Sequence, residues 1–206
     1  MNIKGSGRYR GRITASLTAM ALVCTGVSGQ ITASAEKDAV LAVDPSGKEK
    51  SYSAVLYDNT NGLPTSEAND IIETPDGFLW MGSYSGLVRY DGNSFERIDS
   101  TTGVTSVVDL FVDSKERLWI GTNDSGAVVM ENGRYVRFSK SDGLRSLSVR
   151  SITEDSRGNI YLATTRGVVL VDKDLQVQAV DYPELDDEYI RSVDTGADDV
   201  VYGVTI

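Results

Sequence analysis

One short pattern recurs along the chain at a nearly constant interval. Leu79-Trp80-Met81-Gly82-Ser83 returns as Leu118-Trp119-Ile120-Gly121-Thr122 and as Ile160-Tyr161-Leu162-Ala163-Thr164. A worn copy, Val201-Tyr202-Gly203-Val204-Thr205, follows. The aromatic advances by 39, then 42, then 41 residues. A period near 40 residues with strand-like content is the spacing of a propeller blade, four short strands per repeat. A single blade cannot bury both of its faces, so neighbours must stack face to face. The expected fold is therefore all-β, a β-propeller of four-stranded antiparallel blades with about three and a half blades present.

Each repeat divides into four strands. Strand a is expected at 70–73, 109–112, 151–154 and 192–195, with polar turns after it such as Pro75-Asp76-Gly77 and Ser156-Arg157-Gly158. Gly in such clusters supplies positive φ. Strand b carries the aromatic and is apolar on both sides, as in Phe78-Leu79-Trp80-Met81, which suits a strand covered on both faces. Strand c opens on Gly86, Gly126 and Gly167. Strand d alternates, as in Tyr135-Val136-Arg137-Phe138, which suits an outer, half-wet position. Trp80, Trp119, Tyr161 and Tyr202, with Gly82 and Gly121, are expected to form the repeated structural core. A residue that recurs in every blade at mid-strand is core more often than ligand contact.

The ends carry different signals. Residues 1–35 read as a secretory signal: Lys4, Arg8, Arg10 and Arg12 without an acid, an apolar stretch from Ile13 to Val27, then Ala33-Ser34-Ala35. The apolar stretch is shorter than the roughly 18 residues needed to span a bilayer. Cleavage there would remove four basic residues and take the net charge from −10 to −14. It would also remove Cys24, leaving no thiol chemistry. Residues 36–51 read as a linker, and the partial propeller occupies 52–206 in repeats of about 63–103, 104–144, 145–185 and 186–206. Ser51 to Tyr57 matches a strand d without an a, b or c before it. It is expected to complete the last blade, with partner strands beyond Ile206.

The combination Gly62-Leu63-Pro64, Asp76-Gly77-Phe78-Leu79-Trp80-Met81-Gly82 and Ser85-Gly86-Leu87-Val88-Arg89-Tyr90-Asp91 resembles the two-component regulator propeller repeat. The second repeat keeps Asp113 and Leu118 to Thr122 but has Glu116 where the family prefers Gly. The third keeps Asp155, Gly158 and Gly167 but has Tyr161 for Trp and Ala163 for Gly. The resemblance implies the extracytoplasmic input half of a signalling receptor. In such receptors the propeller precedes a membrane helix and a histidine kinase or diguanylate cyclase, and the receptor can be a dimer. Several relatives in gut bacteria are linked to polysaccharide breakdown products.

Loops joining strand d to the next strand a, and b to c, share one face in a propeller, and loops on a rigid scaffold commonly carry function. The candidate ligand residues there are Glu67, Asn69, Tyr84, Asn123, Asp124, Arg150, Arg166 and Arg191. Tyr84 is the foremost, an aromatic between Ser83 and Ser85 suited to a sugar ring. Arg150 and Arg191 stand at equivalent places just before strand a.

The acidic surface repels polyanions, so nucleic acid and anionic membranes are poor partners. The chain has no histidine, which withdraws the commonest general base and metal ligand. No cofactor and no metal site are expected. Three functions stay open: a module sensing a small extracellular ligand such as an oligosaccharide, a protein-interaction platform, and a propeller glycosidase or lyase. The adjacent acids Asp186–Asp187 and Asp198–Asp199 face opposite ways on an extended chain, so neither is an obvious acid–base couple.

Overall fold

The computed structural model of the protein describes residues 41–42, 53–60, 62–178 and 183–206. The expected signal at 1–35 and most of the expected linker lie outside the described residues. Two units are distinguished, Leu17–Ser66 and a second comprising Met1–Ser16 with Glu67–Ile206.

In the first unit, β1 (Leu41–Ala42) pairs antiparallel with β2 (Ser53–Ala54). Val55 to Tyr57 join no sheet. Of the segment Ser51 to Tyr57 expected to close a last blade, Ser53–Ala54 is strand and Val55 to Tyr57 are not. The turn after it is held by Asp58, whose Oδ1 accepts from the Thr60 backbone N–H at 2.7 Å.

The second unit is a succession of antiparallel sheets, each strand beside its neighbour in sequence. The first sheet is β3 (Asp70–Glu73), β4 (Leu79–Ser83), β5 (Gly86–Tyr90) and β6 (Phe95–Arg97). The second is β7 (Val107–Val112), β8 (Leu118–Thr122), β9 (Ala127–Glu131) and β10 (Arg134–Phe138). The third is β11 (Val149–Glu154), β12 (Ile160–Thr164), β13 (Gly167–Val171) and β14 (Val177–Gln178). A final pair, β15 (Ile190–Thr195) and β16 (Val201–Thr205), begins a fourth. This is an all-β set of propeller blades, open and incomplete.

Two features differ from the sequence expectation. β7, β11 and β15 begin two residues earlier than turn chemistry suggested, because register shifts at Val107/Asp109, Val149/Ser151 and Ile190/Ser192 carry pairing past an irregularity. Such bulges leave one residue unpaired and re-aim its side chain. Arg150 and Arg191 sit at these bulges, inside strand a rather than before it. Short 3-10 turns, Ser100–Thr102, Lys140–Asp142 and Pro183–Leu185, also cross between sheets. Hydrophobic periodicity cannot show elements of three residues.

Each interface between sheets has its own core. Trp80, Leu87, Val107, Leu110, Ile120 and Val128 fill the first. Trp119, Phe138, Val149, Ile152, Leu162 and Val169 fill the second. Ala163, Ile190, Val193 and Val201, with Tyr161 against them, fill the third. Glycine in strand b follows from this packing. A Cβ on Gly82 would stand 2.4 Å from Val107 Cγ1, and one on Gly121 would stand 3.2 Å from Val149 Cγ1. The first residue of each strand a therefore wedges against a nearly bare backbone in the sheet before it. Ala163 takes that place opposite Ile190 in the third interface.

The innermost strands are stitched directly. Asp70 Oδ2 accepts from the Leu110 N–H and Asp109 Oδ2 from the Ile152 N–H, both at 2.8 Å. At the same register Ser151 Oγ donates to the Val193 carbonyl at 3.3 Å.

Candidate ligand-binding face

Register assigns the loops to two ends of the sheets. Val107 pairs with Thr122, Val149 with Thr164 and Ile190 with Thr205. The b–c turns and the loops entering strand a therefore share one end, and the a–b and c–d turns share the other.

The a–b end is bolted together. The Ser114 backbone N–H and Oγ both donate to the Glu154 carboxylate at 2.7 Å. Ser156 treats Asp199 of the last hairpin the same way, again at 2.7 Å. Within the turns of the second and third sheets an acid catches the core aromatic. Asp113 accepts from Arg117 Nε at 2.6 Å and Trp119 Nε1 at 2.8 Å. Asp155 accepts from Asn159 Nδ2 at 2.9 Å and Tyr161 Oη at 3.2 Å. Burial pushes the Asp155 carboxyl up, but hydrogen bonds from Asn159 and Arg157 outweigh it and hold the group below the usual carboxylate range. Burial and the Asp155 charge raise the Tyr161 phenol. In the first sheet Thr74 Oγ1 serves instead, accepting from Trp80 Nε1 at 3.0 Å.

The opposite end is tied through both backbone and side chains, the latter including the Arg145–Asp186 and Arg166–Asp187 pairs. Asn123 N–H donates to the Ser106 carbonyl at 2.8 Å, Gly126 N–H to Leu147, and Gly167 N–H to Glu188, also at 2.8 Å.

The predicted residues separate here. Tyr84 is 56% exposed in the first b–c turn. Asn69 is committed to the scaffold, its Nδ2 donating to the Val107 carbonyl at 2.7 Å. Glu67 and Asp124 are exposed, and Asp124 accepts from Ser125 Oγ at 3.0 Å. Asn123 is half-buried beside it. Arg166 binds Asp187 at 2.7 Å. Arg150 lies with its guanidinium carbon 5.8 Å from the Tyr189 ring centroid. Arg191 is exposed on β15. Arg150 and Tyr189 are thus brought together, with Arg191 two residues beyond Tyr189, whereas Tyr84 belongs to the first sheet.

The adjacent acids go to separate partners. Asp186 pairs with Arg145 and Asp187 with Arg166. Asp198 accepts from Tyr202 Oη at 2.9 Å, and Asp199 holds Ser156. No two of them converge on a common point. Among the described residues no group of three or more His, Cys, Asp or Glu side chains is arranged to hold a metal.

Sequence reasoning missed a concavity of about 340 Å³ lined by Arg145, Asp186, Val169, Val177 and Gln178, among others. Its walls come from strands c and d of the third sheet and from the loops that precede and follow that sheet, which no local pattern connects.

Comparison with known proteins agrees with this architecture. A histidine kinase, P4, of Formosa agariphila is 35% identical over 98 residues, covering 36% of this chain and 7% of the relative. The extracellular domain described for the hybrid two component system BT3049 of B. thetaiotaomicron superposes with a TM-score of 0.64 at 22% identity, over 76% of this chain and 23% of that one. A streptogramin B lyase superposes with a TM-score of 0.57 at 17% identity, over 69% of this chain and 49% of the lyase. At these identities the two structures show the shared fold. The chain spans less than a quarter of the kinase and of the sensor domain. The family described as two component regulator propeller matches residues 62–85, 103–124 and 143–166, each running from an interblade loop through strands a and b. Three two component regulator propeller repeats are thus matched within residues 62–166.

Proposed function

We propose that this chain is an extracytoplasmic recognition module that binds a small extracellular ligand on the b–c face, as the input part of a signalling receptor. The observation that carries the reading is the exposure of an aromatic and a cationic side chain at the b–c end, Tyr84 at 56% and Arg191 beside the last loop. The a–b end uses its side chains to hold adjacent blades, as Ser114 with Glu154 and Ser156 with Asp199 show. The b–c end combines backbone ties with the Arg145–Asp186 and Arg166–Asp187 pairs and still keeps Tyr84 and Arg191 exposed. Histidine kinase P4 and the extracellular sensor domain support a place outside the cytoplasmic membrane, with a kinase or cyclase output elsewhere. The lyase neighbour raises catalysis as an alternative. Against it stand the absence of histidine from all 206 residues and the dispersal of the adjacent acids.

The test is thermal denaturation of the full chain against a panel of neutral and acidic oligosaccharides. A ligand at a hundred times its Kd adds about 2.7 kcal/mol of stability. The expected result is a concentration-dependent rise in Tm for one panel member. Tyr84→Ala should reduce that rise while leaving the ligand-free Tm within about 1 °C, since the ring is exposed. A flat panel with capture of a protein partner on the same face would favour the interaction-platform reading. Turnover of a panel glycan would overturn the non-catalytic one.

A further inference from the structure

Strand a carries a residue at each bulge whose identity the fold does not dictate. The bulges of β7, β11 and β15 hold Val108, Arg150 and Arg191, and Asn69 stands at the same register just before β3. Asn69 ties its sheet to the next, and Val108 is apolar. The last two blades instead place arginines on neighbouring innermost strands. Five other arginines, Arg89, Arg117, Arg145, Arg157 and Arg166, are ion-paired. Among the described residues Arg150 and Arg191, like Arg97, Arg134 and Arg137, pair with no carboxylate.

The surroundings are unfilled in a specific way. Arg150 Nε is shielded from solvent and has no hydrogen-bond partner, and neither does Ser148 Oγ, two residues before it. Buried polar groups are ordinarily satisfied, and each one left unsatisfied costs about 1–3 kcal/mol. The Arg150 guanidinium reaches the Tyr189 ring, two residues from Arg191. Asp186 and Asp187 of the same loop are held by Arg145 and Arg166, which leaves their charge engaged elsewhere.

We infer that Arg150 and Arg191, with Ser148 and Tyr189, form a carboxylate-binding site on the channel-side strands of the last two blades. The planar guanidinium fork donates two parallel N–H···O bonds to a carboxylate. Ser148 Oγ supplies a further donor, and Tyr189 an aromatic wall beside it. An acidic sugar and a small organic acid share this chemistry. The inference rests on the b–c face being the recognition face and specifies what that face selects.

Titration calorimetry on the full chain tests it with three probes: tri-galacturonate, neutral galactotriose and citrate. Binding of tri-galacturonate at least tenfold tighter than galactotriose is expected, with Arg191→Gln and Arg150→Gln each weakening it tenfold or more. Arg191→Lys, which keeps charge and loses the fork, should fall between. The exposed Arg191 variants should leave Tm unchanged, separating lost binding from lost folding. If citrate also binds through Arg191, a carboxylate alone suffices; if only tri-galacturonate does, the sugar is part of the determinant. Equal binding of galactotriose, unaffected by Arg191→Gln, overturns the carboxylate site and leaves the sensing reading standing. If no probe binds, the carboxylate site is rejected, and the Tyr84 panel decides the sensing reading separately.

Discussion

Trp119 and Tyr202 occupy the same place in two equivalent hairpins and meet different surroundings. Trp119 is 0% exposed, stacked on Phe138 with ring centroids 5.5 Å apart and held by Asp113. Tyr202 is half-buried, yet an acid of its own turn still catches it, here Asp198. The acid–aromatic contact forms inside one hairpin. Burial of the aromatic needs the next blade. The leading side shows the same dependence. Leu110 and Ile152 are each 4% exposed, while Ile71 at the same register of the first sheet is 57% exposed. The small residue of strand b follows suit: Gly82, Gly121 and Ala163 face a wedge, whereas Val204 is 58% exposed.

The largest effect that could break this comparison is truncation of the two aromatics. Trp119→Ala should cost about 3–5 kcal/mol by removing a fully buried ring. Tyr202→Ala should cost under about 1 kcal/mol, because little packed area is lost. Urea denaturation reads both, and comparable losses would mean that blade stacking does not set the difference.

A smaller effect sharpens it. Gly82→Ala should destabilise by about 1–3 kcal/mol, since the new methyl meets Val107. Val107→Ala made in the same chain should relieve part of that cost, giving a coupling energy in a double-mutant cycle. Val204→Gly, at the same register without a wedge, should show no such coupling.

The smallest effect is in pH. Asp155 is held below the usual carboxylate range in the folded protein, so its hydrogen bonds stabilise the fold at pH values above its unfolded pKa of about 4. That contribution is lost as pH falls through the lower folded value. Between about pH 5 and 2, wild type should therefore lose stability more steeply than Asp155→Asn. Parallel acid profiles would show that Asp155 contributes nothing there.

The blades were legible because their signal is local and repeated. Trp80, Trp119 and Tyr161 recur in phase, and turns such as Ser156-Arg157-Gly158 punctuate them. The bulges were not legible. Val149 and Ile190 look like loop residues until strand b of their own sheet pairs with them, so Arg150 and Arg191 read as lying before strand a. The partners of the candidate site were hidden for the same reason. Asn69 reads as a free loop amide, but its acceptor is 38 residues away. Arg166 reads as unpaired until Asp187, 21 residues on, is brought beside it.

The sequence by itself determined the period, the four-strand content of each repeat and the turn chemistry between strands, because φ preference and side-chain alternation act within a few residues. Only the tertiary structure decided which aromatic is buried, which glycine cannot be replaced and which arginine is left without an acid. Those outcomes depend on atoms about 40 residues apart along the chain, and only the stacking of one blade on the next brings them into contact.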